Sequence, residues 1–432
     1  METSRLLRRA RLPAWLLPSH WPRTDAQPSL ADISIVHTRI ARITPHMPSQ
    51  ALPCMPIWDL DGAPVLPGLL DAHVHLDKTF TRARMGAISP GLLSAIDAMM
   101  VDKARWTPGD VRHRAECALH WAQEAGSMHL RTHCDWWDPI SPPIAWSVLR
   151  ELAEQWRGRL KIERVSLSPL TLYEDRDWAF ATAARVASSG PGALLGGFVH
   201  STHFSVSALR HLLEAAQAYE LDVDLHCDEE LEPAAKGLAT VVTLMSALGF
   251  EGRVVCGHVC ALAAKPESEA LRILDAVATQ RITLVALPAT NLILQDAVAG
   301  RTPRQRGLTL VKEARARGIP VLLASDNVQD AFCPTGSYDP LEALLIGTPM
   351  GQLESPFDTW SDTICHTGAL AQDASVLPLQ AGMPADLVIF PASDAWSFPS
   401  RTQPRVVLRG GVPTGSVPAN WSMRIAAQGI PA

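Results

Sequence analysis

The 432-residue chain lacks any pair of cysteines at CxxC spacing, although it carries eight, at 54, 117, 134, 227, 256, 260, 333 and 365. Scattered cysteines in a long chain read as reduced thiols of a cytoplasmic protein, not as a disulfide framework. No run of about 20 apolar residues is present, so no membrane span is expected. Positive charge is in slight deficit, with 38 Lys+Arg against 44 Asp+Glu and a net charge of −6. Nucleic acid and anionic membranes recruit basic patches, so neither is expected as a partner. Only 27 residues are Gly and 19% are charged, against 47% hydrophobic, which excludes collagen-like and disordered compositions. The basic start (Arg5, Arg8, Arg9, Arg11) precedes an apolar patch, Leu12 to Leu17. Pro13 interrupts that patch, Pro18 ends it, and no small-residue cleavage pattern follows, so a signal peptide is not expected.

What is present is a change of period along the chain. Residues 1–65 alternate in strand fashion at Ile33–Val36, Arg39–Ile43 and Pro56–Val65. From Val65 to about Met350, short apolar strands alternate with helical stretches. The strands read as Val65–His75, Met128–Asp135, Leu160–Leu167, Leu194–His200, Asp222–His226, Arg253–His258, Ile282–Leu287 and Pro320–Asp326. Thr107-Pro108-Gly109-Asp110 has a cap residue, a first-position Pro and a first-turn acid. Val206, Leu209, Leu212, Leu213 and Ala216 form one helical stripe. Strands of nearly continuous apolar residues indicate a parallel sheet covered on both faces. Eight units, with no GxGxxG after the first strand, favour an α/β fold of the (β/α)8 barrel type over residues 66–378. Residues 1–65 and 379–432, which return to strand-like pieces at Ala385–Phe390 and Pro404–Leu408, are expected to pair into one small β-domain.

Barrel active sites lie at the C-terminal strand ends. Strand one ends in His73-Val74-His75, strand five in His226, strand six in His258 and strand eight in Asp326. An HxH alone is weak, and single histidines at strand ends are often core residues. Joint placement at one barrel end points instead to a borderline divalent ion such as Zn²⁺ or Fe²⁺. Cys256 and Cys260 flank His258, but thiolates there would close the site, and they read as buried apolar cysteines. Taken alone, Glu229 fits a solvated acid in the run from Asp228 to Glu232.

Leu70-Asp71-Ala72-His73-Val74-His75-Leu76-Asp77-Lys78-Thr79 resembles the first-strand motif of the amidohydrolase superfamily. Asp224 to Glu229 and Ala324-Ser325-Asp326-Asn327 are similar to its cytosine deaminase-like branch, which includes N-isopropylammelide isopropylaminohydrolase. Arg131 to Asp135, Cys256-Gly257-His258, Gly307 to Glu313 and Gly382 to Ile389 fall in family order, so the similarity covers most of the chain.

The resemblance implies hydrolysis of an exocyclic C–N bond, by deamination or dealkylamination, of an aminopyrimidine, aminotriazine or pterin. It implies one Zn or Fe(II) ion per chain on His73, His75, His226 and Asp326. Asp326 would also act as base, Glu229 would shuttle a proton to the ring nitrogen, and His258 would hold the attacking water. The binuclear type carries a Lys at the end of strand four, which here reads Leu194 to His200 without Lys, so one metal is expected. His200 and His203 either line the pocket or serve as polar core and loop residues.

In this branch, cytosine deaminases read the pyrimidine amide with a Gln at the end of strand three. The segment Val165 to Thr171 has none, and Asn327 stands where a second Asp is usual. With Phe332, and with Trp136 and Trp137 near the end of strand two, a flatter aromatic pocket is expected, with Asn327 and Phe332 touching substrate and cytosine a poor substrate. A small heterocycle is the expected partner, and a homo-oligomer the expected assembly. The other readings are a hydrolase of cyclic or linear amides in the same superfamily, and an inactive barrel kept for binding. The second would predict a lost ligand or a lost Glu229, and none is lost.

Overall fold

Eight parallel strands succeed one another in chain order in the computed structural model, which describes residues 4–25, 27–48, 55–138, 140–371, 377–391, 394–400 and 404–423. They are β1 (Leu69–Val74), β2 (Ser127–Asp135), β3 (Lys161–Pro169) and β4 (Ala193–Val199). β5 (Val223–Cys227), β6 (Val254–His258), β7 (Ile282–Ala286) and β8 (Val321–Leu323) complete the set. The sheet closes through a parallel bridge between Val74 and Asp326, where the Asp326 N–H donates to the His73 carbonyl at 2.9 Å. Beside it, the Ser325 N–H donates to the Asp71 carboxylate at 2.9 Å. This seam places Asp326 beside the β1 histidines.

Leu70, Ala72, Val255, Val285, Leu322 and Ala324 form one buried cluster on the barrel strands. The helices form the outer layer. Pro108–Ala125 starts as its sequence dictates, with the Thr107 hydroxyl accepting the Asp110 N–H at 3.2 Å. Val206–Ala218 buries Leu209, Leu212, Leu213 and Ala216, and each buried Leu contributes about 1.5–3 kcal/mol. Val206 itself is exposed, because the stripe starts one turn further in.

The first strand differs from its expected span. Val65–Pro67 pairs antiparallel with Leu387–Ile389, whereas Leu69 pairs with Ser127 in the barrel. Gly68 separates the two, so one apolar run serves two sheets. Val65–Pro67 closes a four-stranded sheet with Leu387–Ile389, Val406–Arg409 and Val412–Pro413. A five-stranded sheet runs Ser422–Met423, Ile57–Asp59, Arg5–Ala10, Ala31–Val36, Arg39–Pro45. Arg5–Ala10, the basic start of the chain, is thus a strand inside this sheet. Leu7, Ile33, Ile35, Trp58, Leu387, Leu408 and Trp421 share a buried core separate from the barrel's.

We propose that the two chain ends, 1–65 and 379–432, fold as one small domain with the barrel's β1 beginning just after it. Deleting 379–432 would then uncover the apolar faces and unpaired edges of the remaining strands. Insoluble protein on expression is the expected outcome, and a soluble, active 66–378 fragment would refute the composite domain.

Candidate metal centre and catalytic cavity

Alternation along β1 sends His73 and His75 to the same side, towards the barrel mouth. His73 Nε2 and His75 Nε2 each lie 3.2 Å from His226 Nε2, delivered by β5. Asp326 Oδ1 lies 3.6 Å from His73 Nε2 and 3.2 Å from His75 Nε2. All four side chains are buried. Bonds of about 2.0–2.2 Å to one ion place neighbouring ligand atoms about 3.0–3.5 Å apart, so this spacing suits a single divalent ion.

The chemistry of the four groups fits such an ion. Burial, then repulsion from neighbouring imidazoles and, for His75 and His226, from Lys78, lowers all three imidazoles well below their ordinary pKa, which favours the neutral form that binds metal. Both Asp326 oxygens are buried without a hydrogen-bond partner among the described residues, and burial pushes that carboxyl up to about 8. A carboxylate so placed is costly unless a cation joins it. Three nitrogens and one oxygen are the donor set of zinc-type ions.

His258 and Glu229 stand beside this cluster. The Asn291 amide faces His258 Nδ1 at 3.0 Å, an arrangement that favours the ring proton on Nε2, which is buried and without a partner among the described residues. Glu229 Oε1 lies 3.4 Å from His258 Nδ1. Burial, then repulsion from Asp326, pushes the Glu229 carboxyl well above its ordinary range, which favours its protonated form. Glu229 is therefore no solvated acid; it is buried. Asp228, His258, Val259 and Asp326 all have positive φ, between 50° and 67°. Such non-Gly conformations cost about 1–3 kcal/mol each and concentrate at functional sites.

A narrow cavity of about 30 Å³ adjoins the cluster. His75, His226, Glu229 and His258 form its floor; Trp137, Leu167, Phe198 and Phe332 form apolar walls, and Asn327 also lines it. The Asn327 amide donates one N–H to Asp330 at 2.7 Å, which leaves its second N–H and its carbonyl for a ligand. Trp136 is not part of the wall. It is fully buried behind the strand, with its ring 5.4 Å from that of Trp146. His200 sits outside the cavity with its Nε2 3.7 Å from Glu230, and His203 is exposed. β4 ends at Val199 and carries no Lys. Cys256 and Cys260 are buried and free.

Two residues of the site, His133 and Lys78, are not singled out by the sequence. The His133 ring lies 3.8 Å from that of His73, and His133 Nε2 is 3.1 Å from Asp224 Oδ1. It forms one buried trio with His73 and His75, while His73, His226 and His258 form another. Lys78 lines the cavity with its ammonium 2.9 Å from Asp135 and 4.8 Å from the Phe332 ring centre. Burial opposes that charge, but Asp135 and Asp77 more than offset it, so Lys78 stays protonated. The signal was available: Arg131, His133 and Asp135 alternate along β2, so all three point into the barrel.

The profile of the amidohydrolase family matches residues 120–414. The chain belongs to the amidohydrolase family. This amidohydrolase is 36% identical over 358 residues to a pterin deaminase of Rhizobium rhizogenes, covering 82% of this chain and 81% of that protein. It is 23% identical over 399 residues to N-isopropylammelide isopropyl amidohydrolase of a Pseudomonas species, covering 89% and 93% of the two chains. Its fold matches the crystal structure of 5-methylcytosine deaminase from Klebsiella pneumoniae with a TM-score of 0.80, at 23% identity and 96% and 98% coverage. Membership makes the protein a metal-dependent hydrolase of carbon–nitrogen bonds.

One glycine of this amidohydrolase packs against the candidate ligand His73. A Cβ at Gly257 would lie 2.8 Å from His73 Cε1 and 2.9 Å from His73 Nδ1. Gly257→Ala is expected to keep the fold, since the backbone stays in a strand, but to tilt His73. Metal affinity should drop by about tenfold or more, as for other changes that misorient a ligand. A chelator-competition titration checks this, and unchanged affinity would contradict it.

Proposed function

We propose that this amidohydrolase removes an exocyclic amino group from an aminated nitrogen heterocycle, with a fused, pterin-like ring the favoured substrate and one Zn²⁺ or Fe²⁺ per chain. The observation that carries the reading is a buried Glu229 beside His258 and the cluster of His73, His75, His226 and Asp326, against a cavity with aromatic walls. The 36% identity to a pterin deaminase supports the choice of ring.

His73, His75, His226 and Asp326 would hold the ion, which when bound supplies Lewis acidity and a water ionised at about neutral pH. The chain's own groups do the rest. Trp137 and Phe332 orient the ring, and Leu167 keeps bulk water from its edge. Asp326 takes the proton released as oxygen bonds to the ring carbon. The His258 Nε2–H donates to that oxygen and stabilises the charge that develops there. Glu229 gives its proton to the ring nitrogen and recovers one for the departing nitrogen, so the C–N bond breaks with release of ammonia. Lys78, pinned by Asp135, presents a fixed donor to a ring carbonyl, and the Asn327 carbonyl presents an acceptor.

The end of β3 offers Leu167 and Pro169 where an amide-reading side chain would sit. Each buried polar group left unpaired there costs about 1–3 kcal/mol. Cytosine is therefore expected to react with kcat/KM below about 10⁵ M⁻¹s⁻¹, at least about tenfold under a pterin. The test is a panel of aminated pyrimidines, triazines and pterins scored for ammonia and for alkylamine release. Failure of the metal-loaded protein with all three classes would sink the reading; alkylamine release from an N-alkyl triazine alone would move the substrate to that class.

A further inference from the structure

At the opposite end of the strands, the starts of β2, β3 and β4 border a second cavity of about 470 Å³. Arg150, Arg157, Arg159, Lys161, Arg164 and Arg409 line it, against the acids Glu154 and Asp386. Six cations minus two anions leave an excess of four positive charges, in a chain whose net charge is −6. Pairing removes part of each side. Arg157 reaches Glu154, and Lys161 Nζ lies 2.6 Å from Glu163. Arg150, Arg159, Arg164 and Arg409 then face Asp386, whose Oδ1 already accepts the Gly410 N–H at 2.7 Å.

Arg164 is the anchor. It is only 2% exposed. Its Nη2 donates to the carbonyls of Ser189 at 3.2 Å and Pro191 at 3.4 Å, but its Nε and Nη1 are buried with no partner among the described residues. Trp146 lies 5.2 Å from the guanidinium and holds it by its face. Burial, reinforced by Arg150, pushes this guanidinium down to about 10, the mark of a site short of negative charge. Arg409 repeats the pattern: its Nη2 donates to the Ser127 carbonyl, and its Nε is buried and unpartnered among the described residues.

Unpaired buried charge is strongly unfavourable, and the arginine fork matches phosphate oxygens two at a time. We propose that this cavity binds a small phosphate-bearing anion, with Arg164 and Arg409 as its inner donors and Arg150 and Arg159 at its rim. The site lies away from the catalytic cavity and does not depend on what is hydrolysed there.

Calorimetric titration of the metal-loaded, full-length protein with inorganic phosphate and with pyrophosphate, at constant ionic strength, tests this. One saturable site per chain is expected. Arg150→Gln/Arg159→Gln changes only exposed side chains, so it should fold, and should bind at least about tenfold more weakly. Arg185→Gln/Arg272→Gln, two exposed arginines elsewhere, should bind as the parent does. Equal affinity in the rim variant would assign the binding to the metal centre and overturn the proposal. So would the absence of saturable binding below about 10 mM, or citrate matching pyrophosphate.

Discussion

His73→Ala protein is expected to fold, to purify with less than about a tenth of the parent's metal, and to lose roughly a thousandfold or more in kcat/KM. The magnitude follows from what His73 touches. Its Nε2 is 3.2 Å from His226 Nε2 and 3.6 Å from Asp326 Oδ1, so it shares the cluster's centre. Lewis acidity worth several kcal/mol of transition-state stabilisation depends on that centre, at 1.36 kcal/mol for each tenfold. The truncated side chain leaves space, not a clash, and β1 is held by bonds to β2 and to the Asp326 seam. Elemental analysis, circular dichroism and turnover together check the expectation. Normal metal content in the variant would contradict the ligand set.

Glu229→Gln separates proton transfer from metal binding. The amide has nearly the shape of the protonated carboxyl that burial favours, so fold and metal should be unchanged. It can donate a hydrogen bond but cannot pass a proton on. Turnover is expected to drop by about a hundredfold or more, with KM altered much less. The bland reading of this residue, a solvated acid, predicts no change in kcat, so equal turnover would return Glu229 to it.

How much of this was legible in the sequence varies element by element, for physical reasons. Barrel strands are buried on both faces and read as apolar runs, so their ends, with His226, His258 and Asp326, could be found by eye. β1 was misjudged because Val65 to Val74 is continuous in hydrophobicity; only Pro67-Gly68 marks where it passes from one sheet to the other. Arg5–Ala10 was not recognised as a strand because a register shift between Leu7 and Ala10, with Arg9 at φ 57°, breaks the two-residue period. Trp136 was placed at the pocket with Trp137, although alternation from Asp135 inward sends neighbours to opposite sides. Asn327 is expected to touch substrate, but only the fold reveals that Asp330 takes one of its amide N–H groups. Lys78 was visible in the first-strand motif, but its partner Asp135 lies 57 residues on, and the pairing belongs to tertiary structure.

The most direct measurement is elemental analysis of the purified protein, followed by chelation, reloading and a pterin turnover assay. The account predicts about one Zn or Fe per chain, ammonia release that vanishes on chelation, and its return when the same ion is added back. Two metals per chain, or undiminished ammonia release from metal-free protein, would contradict it.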